Sequence, residues 1–332
     1  MMGPVTERCV FRRRVMRIIF MGSGEFGVLS LRWLRGAGHE LLEVVTQPAR
    51  PAGRGKKVAP TPIARAAGEL ALPLRQCLDV NEPEFVHHIG QLRPEVLLVI
   101  AFGQKIGANL LRLPGCRALN LHGSLLPRFR GAAPINWAII NGEKETGITV
   151  IELNETWDAG AILGQASTQI SPIETAGELH DRLALLGPEL LAQVLEKMTL
   201  GVDQPLAQDE RLACRAPKLH KTDGAIRWGQ PATRIRNQIH GMWPWPGAWC
   251  LLQQQSKKEP ERLSVARAQV APEKMDADRS LEVGRLAEDL TIQCGPGRLR
   301  LLEVRPENGR LMPFSDFANG RRLQRHDRFL DG

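Results

Sequence analysis

The N-terminal part of the chain alternates short apolar runs with amphipathic stretches. Apolar runs of strand length occupy residues 17–21, 41–46, 96–101, 116–121 and 147–153. The first three are apolar almost throughout, as strands buried on both faces of a parallel sheet require. This alternation predicts an α/β fold with a Rossmann-like, open, mostly parallel sheet and helices on both faces.

Stretches with helical spacing lie between these runs. We predict helices at residues 63–69, 81–91 and 135–140, with Asn81 as the N-cap of the second. A longer helix is predicted from residue 176, because leucines recur there at helical spacing until Gly201 ends the pattern. These helices would cover the faces of the sheet.

The pattern changes after residue 201. Residues 202–215 lack hydrophobic periodicity and contain Pro205, which predicts a linker. Short β-like segments follow at residues 225–228, 249–253, 262–270, 290–294 and 297–304, with one helix at 232–240. Several short strands around a helix indicate a small OB-like β-barrel. We therefore predict a flexible extension (1–15), a Rossmann-like catalytic domain (16–201), the linker (202–215) and a smaller OB-like domain (216–332).

The composition suggests an anionic partner. Lys and Arg number 44 against 36 Asp and Glu, which gives a net charge of +8. This excess favours nucleic acid or an acidic membrane surface as the partner, although a basic tail alone would give the same count.

Cysteines and hydropathy indicate the compartment. The six cysteines are scattered without a Cys-x-x-Cys pair, which predicts free thiols in a reducing compartment rather than disulfides or a zinc site. No apolar run approaches the ~18 residues of a membrane span, and no secretory signal is recognisable at the N-terminus. We therefore expect a cytoplasmic protein without a membrane partner.

A glycine motif follows the first predicted strand. Gly22-Ser-Gly24-Glu-Phe-Gly27 matches G-x-G-x-x-G, which predicts either a dinucleotide site or only a tight strand-to-helix turn. A dinucleotide site calls for a carboxylate at the end of the second strand, whereas Glu43 lies in the middle of that strand. We favour the turn and expect no NAD.

Polar side chains mark the end of the strand at 116–121. Asn120 and His122 are two residues apart, so an extended backbone places both on one face. Asp158 follows the strand at 147–153 and precedes two small residues, Ala159 and Gly160, that allow close approach. Strand ends of open α/β sheets are where such groups meet a substrate.

This set of groups suits acyl transfer. An amide N–H₂ can stabilise the oxyanion of a tetrahedral intermediate, histidine can move a proton near neutral pH, and a carboxylate can orient the ring. We find no G-x-S-x-G nucleophile motif and no metal-binding spacing, so we expect the substrate to supply the nucleophile and predict no metal. A buried structural histidine and an N-capping aspartate are the alternative for each residue taken alone.

Two further features suit nucleic acid. The Pro/Gly-rich stretch 47–57 carries Arg50, Arg54, Lys56 and Lys57, which predicts either phosphate contacts or a solvated charged loop. Basic residues recur beyond residue 216, including Lys218 and Lys221. The tryptophans of residues 243–249 could stack on bases, but we favour a packing corner.

The segment Asn120-Leu-His-Gly-Ser-Leu-Leu-Pro127 resembles the folate-dependent formyltransferases, and the match continues through Arg-Phe-Arg-Gly-Ala-Ala-Pro134. The resemblance extends from Met16 into the C-terminal region and is greatest to the members that act on charged initiator tRNA. It implies that Asn120, His122 and Asp158 are the catalytic triad of the family.

The resemblance also implies the substrates. 10-Formyltetrahydrofolate would lie in a cleft bordered by the 154–158 loop and by two segments whose proposed donor-binding residues are Phe102, Gly103, Gln104, Ile106, Ser124, Leu125, Leu126 and Pro127. The α-amine of initiator methionyl-tRNA would attack the formyl carbon. The expected tRNA-binding residues are Arg50, Arg54, Lys56, Lys57, Lys218 and Lys221. We expect a monomer.

The chain departs from the family pattern at three places. Gly24 stands where proline is usual, Ala49 where aspartate is common, and residues 154–157 read Asn-Glu-Thr-Trp where Asp-x-Gly-x is usual. Two alternatives remain, a formyltransferase acting on a small amine and a catalytically silent tRNA-binding protein. The first would lack the basic loop and basic second domain, and the second would not need the triad.

Overall fold

The computed structural model describes residues 14–52, 57–272, 281–325 and 327–332. Its strands are β1 (Arg17–Gly22), β2 (Glu40–Thr46), β3 (Arg50–Ala52), β4 (Lys57–Ala59), β5 (Leu74–Gln76), β6 (Val96–Ile100), β7 (Arg117–His122), β8 (Arg130–Gly131), β9 (Glu145–Glu152), β10 (Ile162–Gln169), β11 (Arg215–Ala216), β12 (Ala248–Gln253), β13 (Glu261–Val270), β14 (Thr291–Gln293), β15 (Arg298–Pro306), β16 (Met312–Pro313) and β17 (Arg328–Leu330). Its α-helices are α1 (Val28–Gly36), α2 (Pro62–Glu69), α3 (Pro83–Leu92), α4 (Ala108–Leu111), α5 (Pro134–Ile140), α6 (Ala176–Leu200), α7 (Ala232–Met242) and α8 (Phe314–Arg321). Most of the proposed 1–15 extension lies outside the described residues.

The first sheet has seven strands in the order β10-β9-β7-β6-β1-β2-β5. Strands β5, β2, β1, β6 and β7 are parallel, and β9 and β10 add an antiparallel edge. The predicted open, mostly parallel sheet is confirmed. It places the ends of β6 and β7 side by side at one edge.

Helices cover both faces of this sheet, as predicted. Alternate side chains of β1 divide between the faces, since Ile18 and Phe20 pack in the core with α1, α2 and α6. Ile19 and Met21 pack on the other face with α3 and α4. All four are fully buried, which explains why the strand reads as a continuous apolar run.

The C-terminal part forms a second, antiparallel sheet in the order β14-β15-β13-β12-β17, with β16 on β15. Residues 284–287 run between the two outer strands and nearly close the sheet into a barrel, because Phe329 N donates to Gly284 O at 2.7 Å and Ala287 N donates to Thr291 O at 2.8 Å. Trp228 packs inside against Phe329, with ring centroids 5.8 Å apart. The predicted small barrel is confirmed.

Two local predictions were wrong. Residues 225–228 form no strand, and only Ala225 makes an isolated bridge, to Trp249, because Trp228 turns into the barrel core. Asn81 is not a helix N-cap, since α3 begins at Pro83 with Glu82 before it. The Asn81 Oδ1 instead accepts from Gly107 N at 2.7 Å and joins two loops.

The segment predicted as a linker lies along the first domain. Leu206 exchanges two backbone hydrogen bonds of 2.8 Å with Ile162. Strand β11 then pairs with β8, so that Arg215 lies opposite Arg130. The segment thereby reaches the end of the sheet where β7 terminates. Among the described residues, no helix is both long and apolar enough to cross a membrane.

Ionisable groups join the two domains at the start of α6. Arg267 of β13 donates to Glu178 Oε1 at 2.7 Å and to Glu303 Oε2 at 3.0 Å. Burial would raise the pKa of Glu178, but the Arg267 and Thr175 hydrogen bonds outweigh it and lower that pKa to about 2. Burial, with Arg236 and Arg267 adding to it, lowers the pKa of His240 to about 4, and the ring accepts from Ala268 N at 3.1 Å.

We predict that acid destabilises the fold through His240. The pKa of this group falls from 6.5 in the unfolded chain to about 4 in the folded one, so the unfolded chain binds the proton first as the pH falls. The free energy of unfolding should therefore drop by up to about 3 kcal/mol between about pH 6.5 and pH 4. Glu178 acts in the same direction at lower pH, from 4.5 downwards.

Urea unfolding at a series of pH values measures this effect. His240→Gln keeps an acceptor for Ala268 N but cannot be protonated, so its unfolding free energy should vary less over the same range. An unchanged pH dependence in this variant would assign the acid sensitivity to other groups.

Candidate active site

Strand β7 ends at a cleft of about 880 Å³ that both domains line. Asn120 and His122 both line it, as their spacing on one strand predicts. His122 is 6% exposed, whereas Asn120 is only partly buried. Asp158 enters the same cleft from the loop that follows β9. The three predicted catalytic residues therefore converge in one place.

The imidazole of His122 has two defined neighbours. Its Nε2 lies 2.9 Å from Phe129 O, and a carbonyl oxygen can only accept, so Nε2 carries a proton. Its Nδ1 lies 3.7 Å from Asp158 Oδ2. Nδ1 is thus the ring atom that can gain or lose a proton beside the carboxylate.

The backbone holds Asp158 in place. Its φ is +52°, in the left-handed region, and its side chain is buried with Oδ2 accepting from Gly131 N at 2.8 Å. Gly131 itself has a φ of +127°, and a Cβ there would lie 2.6 Å from Ala216 O. Glycine is therefore required where β8 approaches β11.

A glutamine from residues 202–215, the segment predicted as a linker, supports the loop that carries Asp158. Gln208 Nε2 donates to Asp158 O and to Gly160 O, both at 2.7 Å. Arg130 donates in turn to Gln208 Oε1 and forms an ion pair of 2.8 Å with Glu210. Sequence reasoning missed Gln208, because it lies in a segment without periodicity and no local signal places it beside Asp158.

One half of the predicted donor-binding surface lines the cleft, namely Phe102, Gly103, Gln104 and Ile106. Phe102 and Ile106 are buried and supply an apolar floor. The Gln104 side chain is already engaged, since its Oε1 accepts from Val80 N at 3.1 Å and its Nε2 donates to Cys77 O at 3.0 Å. Gln104 can therefore offer a ligand only its backbone while these bonds persist.

The other half, Ser124 to Pro127, lies outside the lining of the cleft. Ser124 Oγ donates to Arg128 O at 2.7 Å, and Leu126 is buried against Ile151 and Ile162. These residues turn the chain away from β7 and fix the segment that carries Phe129. In this way they help to fix Phe129 O, the oxygen that accepts the hydrogen bond from His122 Nε2.

The predicted tRNA contacts are spread over both domains. Arg50 is exposed at the start of the β3–β4 hairpin, whereas Arg54 and Lys56 lie outside the described residues, as does the side chain of Lys57. Lys218 lines the cleft, and Lys221 is exposed in the turn that follows.

The glycine motif forms the turn between β1 and α1. The amides of Ser23 and Gly24 donate to Ala101 O at 3.3 and 3.2 Å, so they join this turn to the end of β6. A phosphate would need those amides free. Glu43, the carboxylate in the middle of the second strand, is buried and forms an ion pair of 2.9 Å with Arg75, so it is already engaged. Both observations support the interpretation of the glycine motif as a turn.

Replacing Gly131 by alanine should disturb the Asp158 carboxylate. The positive φ and the 2.6 Å approach to Ala216 O force the β8 backbone to shift, and this shift moves the amide that holds Asp158 Oδ2. We expect a loss of about 1–3 kcal/mol in the free energy of unfolding. We also expect a lower turnover number for whatever reaction the site performs.

Gly68→Ala is the matched control. Gly68 lies in α2, and a Cβ there has no neighbour within 4 Å, so alanine should leave turnover unchanged and stabilise the helix slightly. Equal effects of the two substitutions on turnover would contradict a role for Gly131 in positioning Asp158.

Family models match almost the whole chain. A formyl transferase model covers residues 16–195, and a model of the formyl transferase C-terminal domain covers residues 218–322. The chain belongs to the formyltransferase family. The family prediction made from the segment 120–134 is confirmed.

Curated relatives are similar over nearly their full length. The methionyl-tRNA formyltransferase of Moorella thermoacetica is 44% identical over 92% of this chain and 96% of its own. That of Citrifermentans bemidjiense is 41% identical over 93% of this chain and 95% of its own.

Solved structures share the fold. HypX of Aquifex aeolicus, in complex with tetrahydrofolic acid, superposes with a TM-score of 0.58 at 19% identity, over 92% of this chain and 47% of its own. WlaRD, a sugar 3N-formyl transferase with dTDP and 5-N-formyl-THF, has a TM-score of 0.62 at 16% identity, over 86% of this chain and 97% of its own.

Proposed function

We propose that the protein transfers the formyl group of 10-formyltetrahydrofolate to the α-amine of methionine on initiator methionyl-tRNA. The observation that carries the proposal is the convergence of Asn120, His122 and Asp158 at one cleft lined by both domains. The relatives named as methionyl-tRNA formyltransferases, similar over both domains, support the choice of acceptor.

The chemistry follows from the groups present. The amine nitrogen of methionine attacks the formyl carbon, and the carbonyl oxygen becomes an oxyanion. The Asn120 amide, on the cleft wall, is a neutral donor that can hydrogen-bond to this oxygen. The tetrahedral intermediate then collapses as the bond from carbon to the folate N10 breaks, and N10 takes a proton.

His122 and Asp158 are suited to manage the protons. The methionine ammonium must lose one proton before its nitrogen can attack and a second one after the carbon–nitrogen bond forms, and N10 must gain one. The site therefore needs a group that exchanges protons near neutral pH. The Nδ1 of His122 lies 3.7 Å from Asp158 Oδ2, so the carboxylate faces the ring nitrogen that does not bond to Phe129 O. Phe129 O and Gly131 N hold the two partners in this orientation.

The size and lining of the cleft support the proposed donor. Its volume of about 880 Å³ lies within the usual range for small-molecule sites of about 300–1,000 Å³. Phe102 and Ile106 line the cleft with buried apolar side chains, and the backbone from Phe102 to Lys105 offers polar groups. We place the donor against this loop and the loop before Asp158.

We further propose that Arg50, Arg54, Lys56, Lys57, Lys218 and Lys221 contact tRNA phosphates. Each phosphate contact releases a bound counterion, so affinity should fall steeply as salt rises. The net charge of +8 supports such a partner. We also propose that the protein works as a cytoplasmic monomer.

Arg54→Ala should weaken tRNA binding and flatten its salt dependence. The slope of log Kd against log salt should change by about one, because one phosphate contact is lost. Filter binding of initiator tRNA over a salt series measures the slope. Arg35→Ala, at an exposed arginine in the last turn of α1, is the control and should leave the slope unchanged. Equal slopes in all three proteins would remove Arg54 from the interface.

A panel of acceptors tests the proposed function. Purified protein and label in the formyl group of the donor are incubated with initiator Met-tRNA, elongator Met-tRNA, an amino-sugar nucleotide or glycinamide ribonucleotide. We expect label on initiator Met-tRNA at a rate well above that of the others. Transfer to a small amine alone would make the protein a small-molecule formyltransferase, and tRNA binding without any transfer would make it a silent binding protein.

A further inference from the structure

Two tryptophans line the cleft with their rings largely exposed. Trp157 is 60% and Trp245 54% exposed, although these are the largest apolar side chains a protein has. They reach the cleft from different domains, since Trp157 precedes Asp158 and Trp245 lies between α7 and β12. Exposed aromatic surface at a binding cleft marks contact with a flat partner.

The loop that presents Trp245 is anchored on both sides. Gly177 N, at the start of α6, donates to Trp243 O at 3.0 Å and thereby ties the loop to the first domain. Gly247 N donates to Met242 O at 2.8 Å and closes the turn around Trp245. The Arg305 guanidinium covers the Trp243 ring at 5.1 Å. The neighbouring tryptophan is thus engaged in packing, whereas Trp245 stays open to the cleft.

The same wall of the cleft carries a positive charge. Lys218 precedes the buried Leu219, and its other neighbour, Pro217, accepts from Trp137 Nε1 at 2.8 Å, so the backbone at Lys218 is fixed. Its ammonium group forms no ion pair within the part of the chain that the structure describes. Asp158 is the one carboxylate among the described lining residues.

We propose that Trp245 stacks on the base of the 3′-terminal nucleotide of the tRNA, next to the phosphate contact already proposed for Lys218. A flat ring beside an ammonium group matches a base beside a phosphate. The second domain then serves as one wall of the reaction cleft as well as a binder of the distant tRNA body. The inference rests on the proposed function.

The side of the cleft that carries Trp245 and Lys218 lies where a contact with the terminal base would position the methionine. Methionine is esterified to the terminal ribose, so holding the terminal base fixes where the α-amine can reach. Trp245 and Lys218 stand on the second domain, whereas Phe102 and Ile106, against which we place the donor, stand on the first. The two substrates would therefore occupy opposite walls.

Paired tRNAs test the inference. Uncharged initiator tRNA with and without its 3′-terminal adenosine is titrated against the full-length protein, Trp245→Ala and Trp245→Phe, and Kd is measured for each. The unaltered protein should prefer the complete tRNA by about tenfold, since base stacking on an aromatic ring is worth on the order of tenfold in affinity. Trp245→Ala should bind both tRNAs alike. Trp245→Phe keeps an aromatic ring and should keep most of the preference.

Two results would overturn the inference. One is equal binding of the two tRNAs by the unaltered protein, and the other is an unchanged preference in Trp245→Ala, which together with a raised KM for the donor would assign Trp245 to the donor instead. Formyl transfer to initiator Met-tRNA, measured on the same unaltered preparation, separates this failure from that of the proposed function. Urea unfolding of both variants should match that of the unaltered protein, because the ring is exposed.

Discussion

Replacing Asn120 by alanine is expected to lower kcat for formyl transfer by about 100- to 1,000-fold, the usual loss when one oxyanion donor is removed. The amide lies on the cleft wall at the end of β7, two residues before His122. An interaction made in the transition state affects kcat and kcat/KM together, so KM for both substrates should change little. Steady-state kinetics with initiator Met-tRNA measures kcat, KM and kcat/KM.

Asn136→Ala is the matched control for this prediction. Asn136 lines the same cleft, but its Nδ2 donates to Gly241 O at 2.7 Å and thus joins α5 to α7. Its removal should cost stability rather than catalysis. Comparable losses of kcat in the two variants would show that any amide in the cleft matters and would contradict a specific role for Asn120.

Replacing Asp158 by asparagine is expected to lower kcat by at least about 100-fold while the fold is retained. The residue has a φ of +52°, which asparagine adopts more readily than most residues. The asparagine Oδ1 can still accept from Gly131 N, so the substitution removes mainly the negative charge that faces His122 Nδ1. The kinetic constants and the free energy of unfolding are measured on one preparation.

A second carboxylate–imidazole pair provides the control. Asp181 Oδ1 lies 2.9 Å from His180 Nδ1, and His180 also lines the cleft. Asp181 is largely exposed, so solvent screens its charge. Asp181→Asn should therefore leave kcat unchanged. If Asp158→Asn retained full activity, the proton-transfer role that we propose for the His122–Asp158 pair would be wrong.

The sequence predicts the fold correctly where burial leaves a hydrophobic pattern in the chain. Strand β1 is covered by helices on both faces, so Ile18 to Met21 form a continuous apolar run. Strand β5 was missed, because its three residues lie at the sheet edge and are half-buried or exposed. The helix start at Pro83 was misplaced, since the Asn81 side chain bonds across to Gly107 rather than to its own helix.

The sequence predicts only part of the site. Asn120 and His122 share a strand, so their common face follows from the period of β-structure. Gln208 and Gly131, which fix Asp158, come from distant segments brought together by the pairing of β8 with β11. No local pattern encodes that pairing. The family resemblance suggested residues 124–127 for the donor, whereas in the structure they lie outside the cleft lining.

We propose that Asn120 catalyses formyl transfer to the methionine amine of charged initiator tRNA. A single-turnover experiment measures this step by itself, with label in the formyl group of the donor and both enzyme forms saturated with initiator Met-tRNA. We expect label on the α-amine of methionine, with a rate constant at least about 100-fold lower in Asn120→Ala and a Kd for tRNA within about twofold. Absence of label on methionine, or equal rate constants in the two proteins, would contradict it.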